Sequence, residues 1–139
     1  MTKDPQIIGS VVKLSIPAAG IYDLLAKIDT GADGSSIWAT NIIEKDNQIS
    51  FCLLGPSSDK YSGIVLKSTD YKRVKIKNSF GDTEIRYRVK ISVVVEGRRV
   101  SAKFSLANRE SKSYPALVGR RLLNNRFIVD ISKSHKPKH

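Results

Sequence analysis

The sequence has 139 residues, enough for about one domain with an apolar core of its own, and its 40% hydrophobic and 27% charged residues are globular values. The 24 Lys and Arg against 13 Asp and Glu give a formal net charge of +11, which favours an anionic partner: nucleic acid, an anionic membrane surface or an acidic polypeptide. A basic surface that serves mainly solubility is the alternative. A single cysteine, Cys52, excludes a disulfide within the chain and predicts a reducing compartment.

The first residues and the apolar runs bear on localisation. Residues 1–6 have no apolar stretch after their charges, so they do not resemble a signal peptide. No apolar run approaches the roughly 20 residues that a membrane-spanning helix needs. We therefore expect a cytoplasmic protein without a membrane partner, in which Cys52 is a small buried apolar residue.

The first half of the chain alternates apolar runs with turn residues. A glycine interrupts the first run, a Pro-Ala-Ala-Gly turn follows it, and Trp38 lies in a later run as an expected core residue. Strands are predicted over residues 7–16, 22–28 and 49–54, a short helical turn over 41–47, and a loop over 55–60.

The second half alternates apolar and polar residues more regularly. Residues 74–76, 85–95 and 100–106 are typical of half-buried strands separated by Asx and Gly turns. A short helix is expected near residues 120–125 and a closing strand over 128–131. The spacing predicts an all-β barrel or sandwich in a single domain, 1–132, followed by a basic disordered tail, 133–139.

The sequence around Asp29 carries the most chemical information. An apolar strand ends in Asp29-Thr30-Gly31-Ala32, and Asp33 follows directly. Gly31 allows a turn tight enough for backbone N–H groups to approach the Asp29 carboxylate, and the Thr30 hydroxyl can hydrogen-bond across a site. The alternative is a strand end followed by an ordinary polar turn.

A second motif follows near the end of the chain. Residues 114–123, Tyr-Pro-Ala-Leu-Val-Gly-Arg-Arg-Leu-Leu, form an apolar run, a Gly-Arg pair and a short amphipathic segment, and residues 108–110 and 126–130 extend the match. In this order the two motifs resemble those of retropepsins, and most closely those of the bacterial retropepsin-like family labelled an ATP-dependent zinc protease. The resemblance covers roughly residues 11–132, with a looser match in the middle.

The resemblance implies a retropepsin-like closed barrel and an aspartic peptidase. That chemistry needs two carboxylates that share a proton, and the sequence has one Asp-Thr-Gly, so a homodimer that pairs two Asp29 residues is expected for activity. The resemblance also assigns supporting roles to Thr30, Gly31 and Ala32, a buried ion pair to Asp33 and Arg120, and the role of a flap over a peptide substrate to the hairpin tip Asn78, Ser79, Phe80 and Gly81. An ordinary surface hairpin, or a flap formed by the insertion over 54–70, are the alternatives.

The family label suggests a zinc or ATP site, and the residues argue against both. The sequence has no His-Glu-x-x-His and no cysteine pair, and its two histidines, His135 and His139, are separated by Pro137. Residues 31–34 lack the Lys-Ser/Thr of a phosphate-binding loop. We expect no metal and no cofactor.

A set of basic residues flanks the predicted flap. By alternation they are expected on the solvent-facing sides of their strands, where they meet an acidic substrate or form a solvated face. The set is Lys72, Arg73, Lys75, Lys77, Arg86, Arg88 and Lys90.

The sequence and the resemblance together predict an aspartic endopeptidase that hydrolyses peptide bonds by water activation between the two Asp29 carboxylates of a homodimer. The charge favours acidic substrates, and the resemblance adds glutamate-rich ones. The rival hypothesis is a non-catalytic basic β-barrel that binds nucleic acid or an acidic protein. Aromatic residues are only 7% of the chain and fall mostly at core positions, which argues against a nucleic-acid binder. A third hypothesis is a silent monomer that dimerises only with a partner or at acidic pH.

Overall fold

The computed structural model describes residues 4–77 and 79–133. The predictions for Asn78 and for tail residues 134–139 lie outside these described residues. Within them the chain forms eleven strands, one short α-helix and one 3-10 helix (Pro17–Ala19). The elements are β1 (Gln6–Ile8), β2 (Val11–Ile16), β3 (Ile21–Ile28), β4 (Ser35–Lys45), β5 (Gln48–Leu53), β6 (Val65–Ser68), β7 (Tyr71–Lys77), β8 (Thr83–Val95), β9 (Arg98–Ala107), β10 (Ala116–Val118), α1 (Arg120–Leu123) and β11 (Phe127–Val129).

Six of the strands close a barrel. In the order β10, β3, β2, β8, β9 and β4, neighbours are hydrogen-bonded, and β4 pairs back with β10. The pairings are antiparallel except for β10 beside β3 and β4 beside β9, which are parallel. Strands β5 and β6 extend the sheet from β4, β7 pairs with the first half of β8, and β1 pairs with β11. The predicted all-β closed barrel with one short helix is confirmed.

Alternating side chains fill the barrel. On β8 the residues from Val89 to Val95 alternate between buried apolar and outward-facing positions, as the period-2 pattern predicts. Phe51 and Phe104 are the largest fully buried side chains among the described residues. Trp38 and Cys52 are both buried, so the prediction that they are core residues is confirmed.

One local prediction is wrong. Residues 41–47 do not form a helical turn, because β4 continues to Lys45 and joins β5 through Asp46 and Asn47. These two residues have φ of 53° and 59°, as expected for a type I′ hairpin turn, whose backbone twist suits antiparallel strands. Their short polar side chains tolerate this left-handed conformation, so Asp46 and Asn47 are typical of a turn between two strands.

The basic residues around the β7–β8 hairpin do not share one face. Lys72 lies directly opposite Arg88, and Arg73 lies directly opposite Tyr87. Directly opposite residues project from the same face of a sheet. One face therefore carries Lys72, Arg86, Arg88 and Lys90, and the other carries Arg73, Lys75 and Lys77.

Candidate functional site at the Asp29 loop

Asp29 is the first residue after β3, where β3 runs beside β10. Buried Ala26 and Ile28 anchor the end of β3 in the core, and the backbone N–H of Asp29 donates to the Val118 carbonyl at 2.9 Å. The N–H of Gly31 donates to Oδ1 of Asp29 at 3.0 Å. The tight turn inferred from the Asp-Thr-Gly sequence therefore exists, and it holds the half-buried carboxylate in place.

The other motif residues lie together around this turn. We call residues 29–34, between β3 and β4, the Asp29 loop. The N–H of Ala32 donates to the carbonyl of Asp29 at 3.2 Å, which closes this loop on itself. Arg120 joins the loop twice, because its Nη1 donates to the Thr30 carbonyl at 2.9 Å and its backbone N–H donates to the Ala32 carbonyl at 2.8 Å. The two sequence motifs thus meet in space.

The entry to α1 packs tightly on the loop. The N–H of Gly119 donates to Oγ of buried Ser35 at 2.9 Å, and the N–H of Arg121 donates to the carbonyl of Asp33 at 3.0 Å. A Cβ on Gly119 would lie 2.3 Å from the carbonyl oxygen of Gly34. The φ of Gly119 is −94°, which any residue adopts, so only the close approach of the two backbones demands glycine here.

The ion pair expected between Asp33 and Arg120 differs from the prediction. Its closest atoms, Nη2 and Oδ1, are 3.9 Å apart, whereas Nε of Arg121 lies 2.8 Å from Oδ2 of Asp33. The Asp33 side chain is 58% exposed and that of Arg121 is 69% exposed, so the pair is not buried. The Gly-Arg-Arg sequence offers two neighbouring arginines, and only the three-dimensional geometry selects the second. Sequence reasoning assigned no role to Arg121.

A basic groove runs along one side of the loop. Asp29 lines a cavity of about 400 Å³ together with three cationic side chains, Lys27, Arg109 and Lys112. Nε of Arg109 donates to the carbonyl of Tyr114 at 3.0 Å, and burial lowers the pKa of Arg109 from its usual value. An arginine nevertheless stays protonated at neutral pH. We call this cavity the Asp29 groove. Sequence reasoning did not identify its cations, because two segments far apart in the chain contribute them: β3 carries Lys27, and the loop before β10 carries Arg109 and Lys112.

The tip of the β7–β8 hairpin is fully open to solvent. Ser79, Phe80 and Gly81 are exposed, and the Phe80 side chain is 88% exposed. The role of this tip as a flap stays a prediction.

The base of the hairpin is tied to β4 through Glu44. The Tyr71 hydroxyl donates to Oε2 of Glu44 at 2.5 Å, the Tyr87 hydroxyl donates to Oε1 at 3.2 Å, and Nε of Arg73 lies 3.6 Å from Oε1. The hydrogen bond to Glu44, with burial, raises the pKa of Tyr71. Burial, with the charge of Glu44, raises the pKa of Tyr87.

Two kinds of feature are absent from residues 4–77 and 79–133. These residues contain no group of three or more His, Cys, Asp or Glu side chains that could hold a metal ion. They also contain no helix long and apolar enough to cross a bilayer.

The barrel and its loop define the class of protein. A closed six-strand barrel, an Asp-Thr-Gly-Ala turn after β3 and a Gly-Arg segment packed on that turn are the features of a retropepsin-like fold. The family model described as "RimB-like: Retropepsin-like aspartic endopeptidase RimB" matches residues 7–138. The chain belongs to this family, and the predicted family is confirmed.

A solved structure supports the same fold. The crystal structure of a Legionella pneumophila protein of unknown function (DUF785) superposes with a TM-score of 0.73 and 26% sequence identity. The match covers 93% of this chain and 95% of that one.

Curated relatives carry a different kind of name. A Shewanella pealeana protein is 33% identical over 138 residues, and a Parasynechococcus marenigrum protein is 30% identical over 134 residues. Both are named "Probable alpha-L-glutamate ligase". The matches cover 96% and 94% of this chain but only 30% and 29% of the relatives, so the chain spans about 30% of their length.

These names contradict the predicted function. The sequence predicted an aspartic endopeptidase acting through two Asp29 carboxylates, whereas the curated relatives are named ligases and give no support to peptidase activity. What stands is the coarser statement that the chain belongs to a family described as a retropepsin-like enzyme. The Asp-Thr-Gly turn identifies a loop and a fold, and it does not by itself fix the reaction.

Proposed function

We propose that this chain is the part of an α-L-glutamate ligation system that binds the glutamate-bearing polypeptide. The observation that carries the proposal is the alignment of 96% of the chain with a segment making up 30% of a protein named as such a ligase. A whole barrel retained inside a ligase is expected to act on the substrate or product of that ligase. The ligand class is then a polypeptide that carries α-linked glutamate.

The charge of the chain suits such a ligand. Each glutamate added to a polypeptide contributes one carboxylate, so the product of glutamate ligation becomes more acidic with every step. A formal net charge of +11 attracts this product over distances longer than any single contact. This term is screened by salt, with a Debye length of about 8 Å at physiological ionic strength.

The Asp29 groove supplies the contacts. Its volume of about 400 Å³ is within the range of ligand sites, and Lys27, Arg109 and Lys112 can pair with the carboxylates of a bound chain. Charge-assisted hydrogen bonds of this kind are about twice as strong as neutral ones. Asp29 would accept a backbone N–H of the same chain, which orients the polypeptide in the groove.

A second copy of the chain is part of the proposal. The parallel pair β1–β11 carries Ile7 and Ile128 on its outer side, exposed by 53% and 54%, next to a cavity of about 570 Å³ lined by Thr30 and Phe127. Apolar residues of this kind are expected in a homodimer interface. In sedimentation the wild type should be a dimer and Ile128→Glu a monomer. A wild type that stays monomeric at high concentration would remove the dimer from the proposal.

The test compares two peptides of equal charge and composition. Titration calorimetry measures the binding of α-linked and γ-linked pentaglutamate to the wild type and to the double variant Lys27→Gln/Lys112→Gln. We expect the α-linked peptide to bind about tenfold more tightly than its isomer, a difference of about 1.4 kcal/mol. The double variant should lose most of this preference.

The control removes the same charge elsewhere. Lys45→Gln/Lys67→Gln changes two exposed lysines on β4 and β6 and should keep the preference for the α-linked peptide. Equal affinities for both isomers would mean that the chain recognises only the net charge of the peptide, and would contradict the proposal. Mass spectra of the titrated samples should show intact peptide, and cleavage that disappears in Asp29→Asn would also contradict it.

A further inference from the structure

A second basic cavity lies at the other end of the Asp29 loop, beside Asp33 and Gly34. It occupies about 240 Å³ between α1 and the outer face of β8 and β9, and it is lined by Arg88, Lys103, Arg121 and Arg126 together with Ser101 and Asp33. A hollow of about 90 Å³ shares Arg88, Lys103 and Arg121 with this cavity and adds Lys72, Lys90 and Asp70. We call the two together the basic cleft.

We propose that the basic cleft binds a glutamate residue through two carboxylates. The ligand is either free L-glutamate or the last residue of an α-linked glutamate chain, which presents its side-chain carboxylate and its α-carboxylate together. The choice of glutamate rests on the proposed function, whereas the choice of a dicarboxylate rests on the cleft itself.

The pairing of β8 with β9 places several positively charged side chains side by side, an arrangement that does not stabilise the fold. Lys90 on β8 lies directly opposite Lys103 on β9. Arg88 lies two residues before Lys90 on β8 and projects from the same face of the sheet. Directly opposite side chains have Cβ atoms about 5 Å apart, and like charges at this spacing are destabilising. A bound dianion would remove this repulsion.

Among the described residues, those that line the cleft include two carboxylates, Asp33 and Asp70, against six cationic side chains. Asp33 is engaged by Arg121 at 2.8 Å, and Arg126 is held in place because its Nη1 donates to the Leu122 carbonyl at 3.1 Å. In the described part of the chain, neither Arg88 nor Lys103 has a hydrogen bond or an ion pair to a carboxylate. These two side chains are therefore available to an incoming anion.

The size and the lining of the cleft favour a dicarboxylate over a nucleic acid. A cavity of about 240 Å³ has room for one amino-acid residue. A nucleic-acid site would offer aromatic side chains on which bases stack. Tyr71 lines the outer hollow, but its hydroxyl is held on Glu44 at 2.5 Å. Arginine guanidinium groups match planar carboxylates with paired hydrogen bonds, and Arg88, Arg121 and Arg126 supply three of them.

The experiment uses three probes on the full chain: α-linked triglutamate with a free carboxyl end, the same peptide as its C-terminal amide, and L-glutamate. Calorimetry compares the wild type with Arg88→Gln and with Lys103→Gln. Loss of one charge-assisted hydrogen bond should weaken triglutamate binding about tenfold in each variant. The amide should bind the wild type about tenfold more weakly than the free acid does, for the same reason.

Lys45→Gln and Lys67→Gln are the matched controls, because each removes one exposed charge outside the cleft. They should change binding by less than about twofold in physiological salt, where distant charges are screened. The inference is overturned if the cleft variants bind triglutamate as the wild type does, or if the controls weaken binding equally. L-glutamate that binds in an Arg88-dependent manner assigns the cleft to the free amino acid, and binding of triglutamate alone assigns it to chain ends.

The variant Lys27→Gln/Lys112→Gln separates this inference from the proposed function. If only that variant weakens triglutamate, the Asp29 groove binds the peptide and the cleft inference fails. If L-glutamate binds through Arg88 and pentaglutamate does not bind at all, the cleft inference stands and the proposed function fails. If none of the probes binds, both fail.

Discussion

The Asp29 loop and the β7–β8 hairpin are held in opposite ways. The loop is held by backbone groups: Gly119 approaches Gly34 so closely that a Cβ would lie 2.3 Å from its carbonyl oxygen. The base of the hairpin contacts β4 through side chains, because Glu44 on β4 accepts the hydroxyls of Tyr71 and Tyr87. The Asp29 loop therefore depends on close backbone packing that leaves no room for a side chain at Gly119. The contact of the hairpin with β4 depends on polar side chains near solvent.

This difference predicts how each region responds to change. Backbone atoms cannot move without displacing the strands that carry them, so a substitution at the loop acts on the whole barrel. Polar side-chain contacts at a surface can break individually, and each contributes little to global stability. The loop should therefore be sensitive to one added carbon, whereas the hairpin should be sensitive mainly to ionisation.

The largest effect is expected for Gly119→Ala. The added Cβ has no room beside the Gly34 carbonyl, and overpacking of this kind costs about 3 kcal/mol of unfolding free energy. Gly34→Ala is the matched control, because a Cβ there meets no atom within 4 Å. Urea denaturation of both variants measures the difference. Equal stabilities would mean that the close approach at Gly119 does not hold the loop.

The next largest effect is expected for Ser35→Ala. The buried Ser35 hydroxyl accepts the N–H of Gly119 at 2.9 Å, and its loss leaves a buried donor without a partner. An unsatisfied buried group costs about 2 kcal/mol. Ser92→Ala, at an exposed position on β8, should cost less than about 0.5 kcal/mol in the same denaturation experiment. Similar losses of unfolding free energy in both variants would mean that the hydrogen bond to Ser35 does not stabilise the loop.

The hairpin prediction concerns pH. The pKa of Tyr71 is raised in the folded protein, so the folded state retains the phenol proton when the unfolded state has lost it. Its contribution to stability is therefore complete below about pH 10 and is lost as pH rises through the folded pKa. Above about pH 10, wild-type stability should fall more steeply than that of Tyr71→Phe. Tyr22→Phe, at an exposed position on β3, is the control and should follow the wild type.

The smallest effect is expected for Asp33→Asn. The pair of Asp33 with Arg121 is exposed, and exposed ion pairs contribute about 0–1 kcal/mol. The loss in urea denaturation should fall within this range and should shrink further at high salt. A loss several times larger would mean that the pair is buried in solution, for example by a second copy of the chain.

The sequence predicted most of the fold for identifiable reasons. Period-2 alternation over residues 85–95 and 100–106 predicts the inward faces of strands β8 and β9. The face of β8 is buried from Val89 to Val95, whereas Ile85, in the part of β8 that pairs with β7, is 49% exposed. On β9 the residues Val100, Phe104 and Leu106 are buried. The turn at Asp46 and Asn47 is missed because residues 41–47 are mostly polar, which is also compatible with the helical turn predicted there. Asp and Asn tolerate the positive φ of a hairpin. Polarity alone does not separate these two structures.

The site was predicted less completely than the fold. Asp29 and Gly31 are two positions apart in sequence, so their contact could be inferred from the motif alone. The Asp29 groove joins Lys27 to Arg109 and Lys112 across more than 80 positions, and nothing local in the sequence links them. The reaction was predicted from the Asp-Thr-Gly motif, and a motif shared across a fold does not determine chemistry.

We propose that the chain binds α-linked glutamate within a ligation system. The experiment uses a full-length relative named as a ligase, such as the Shewanella pealeana protein, and an acceptor polypeptide. Mass spectrometry measures the length of the glutamate tails on the acceptor after the reaction. The reaction is run alone, with this chain, and with its Asp29→Asn variant. We expect tails to stay the same length or become longer when the chain is present, and never to be shorter than without it. Tails shortened by the wild type and left intact by Asp29→Asn would contradict it.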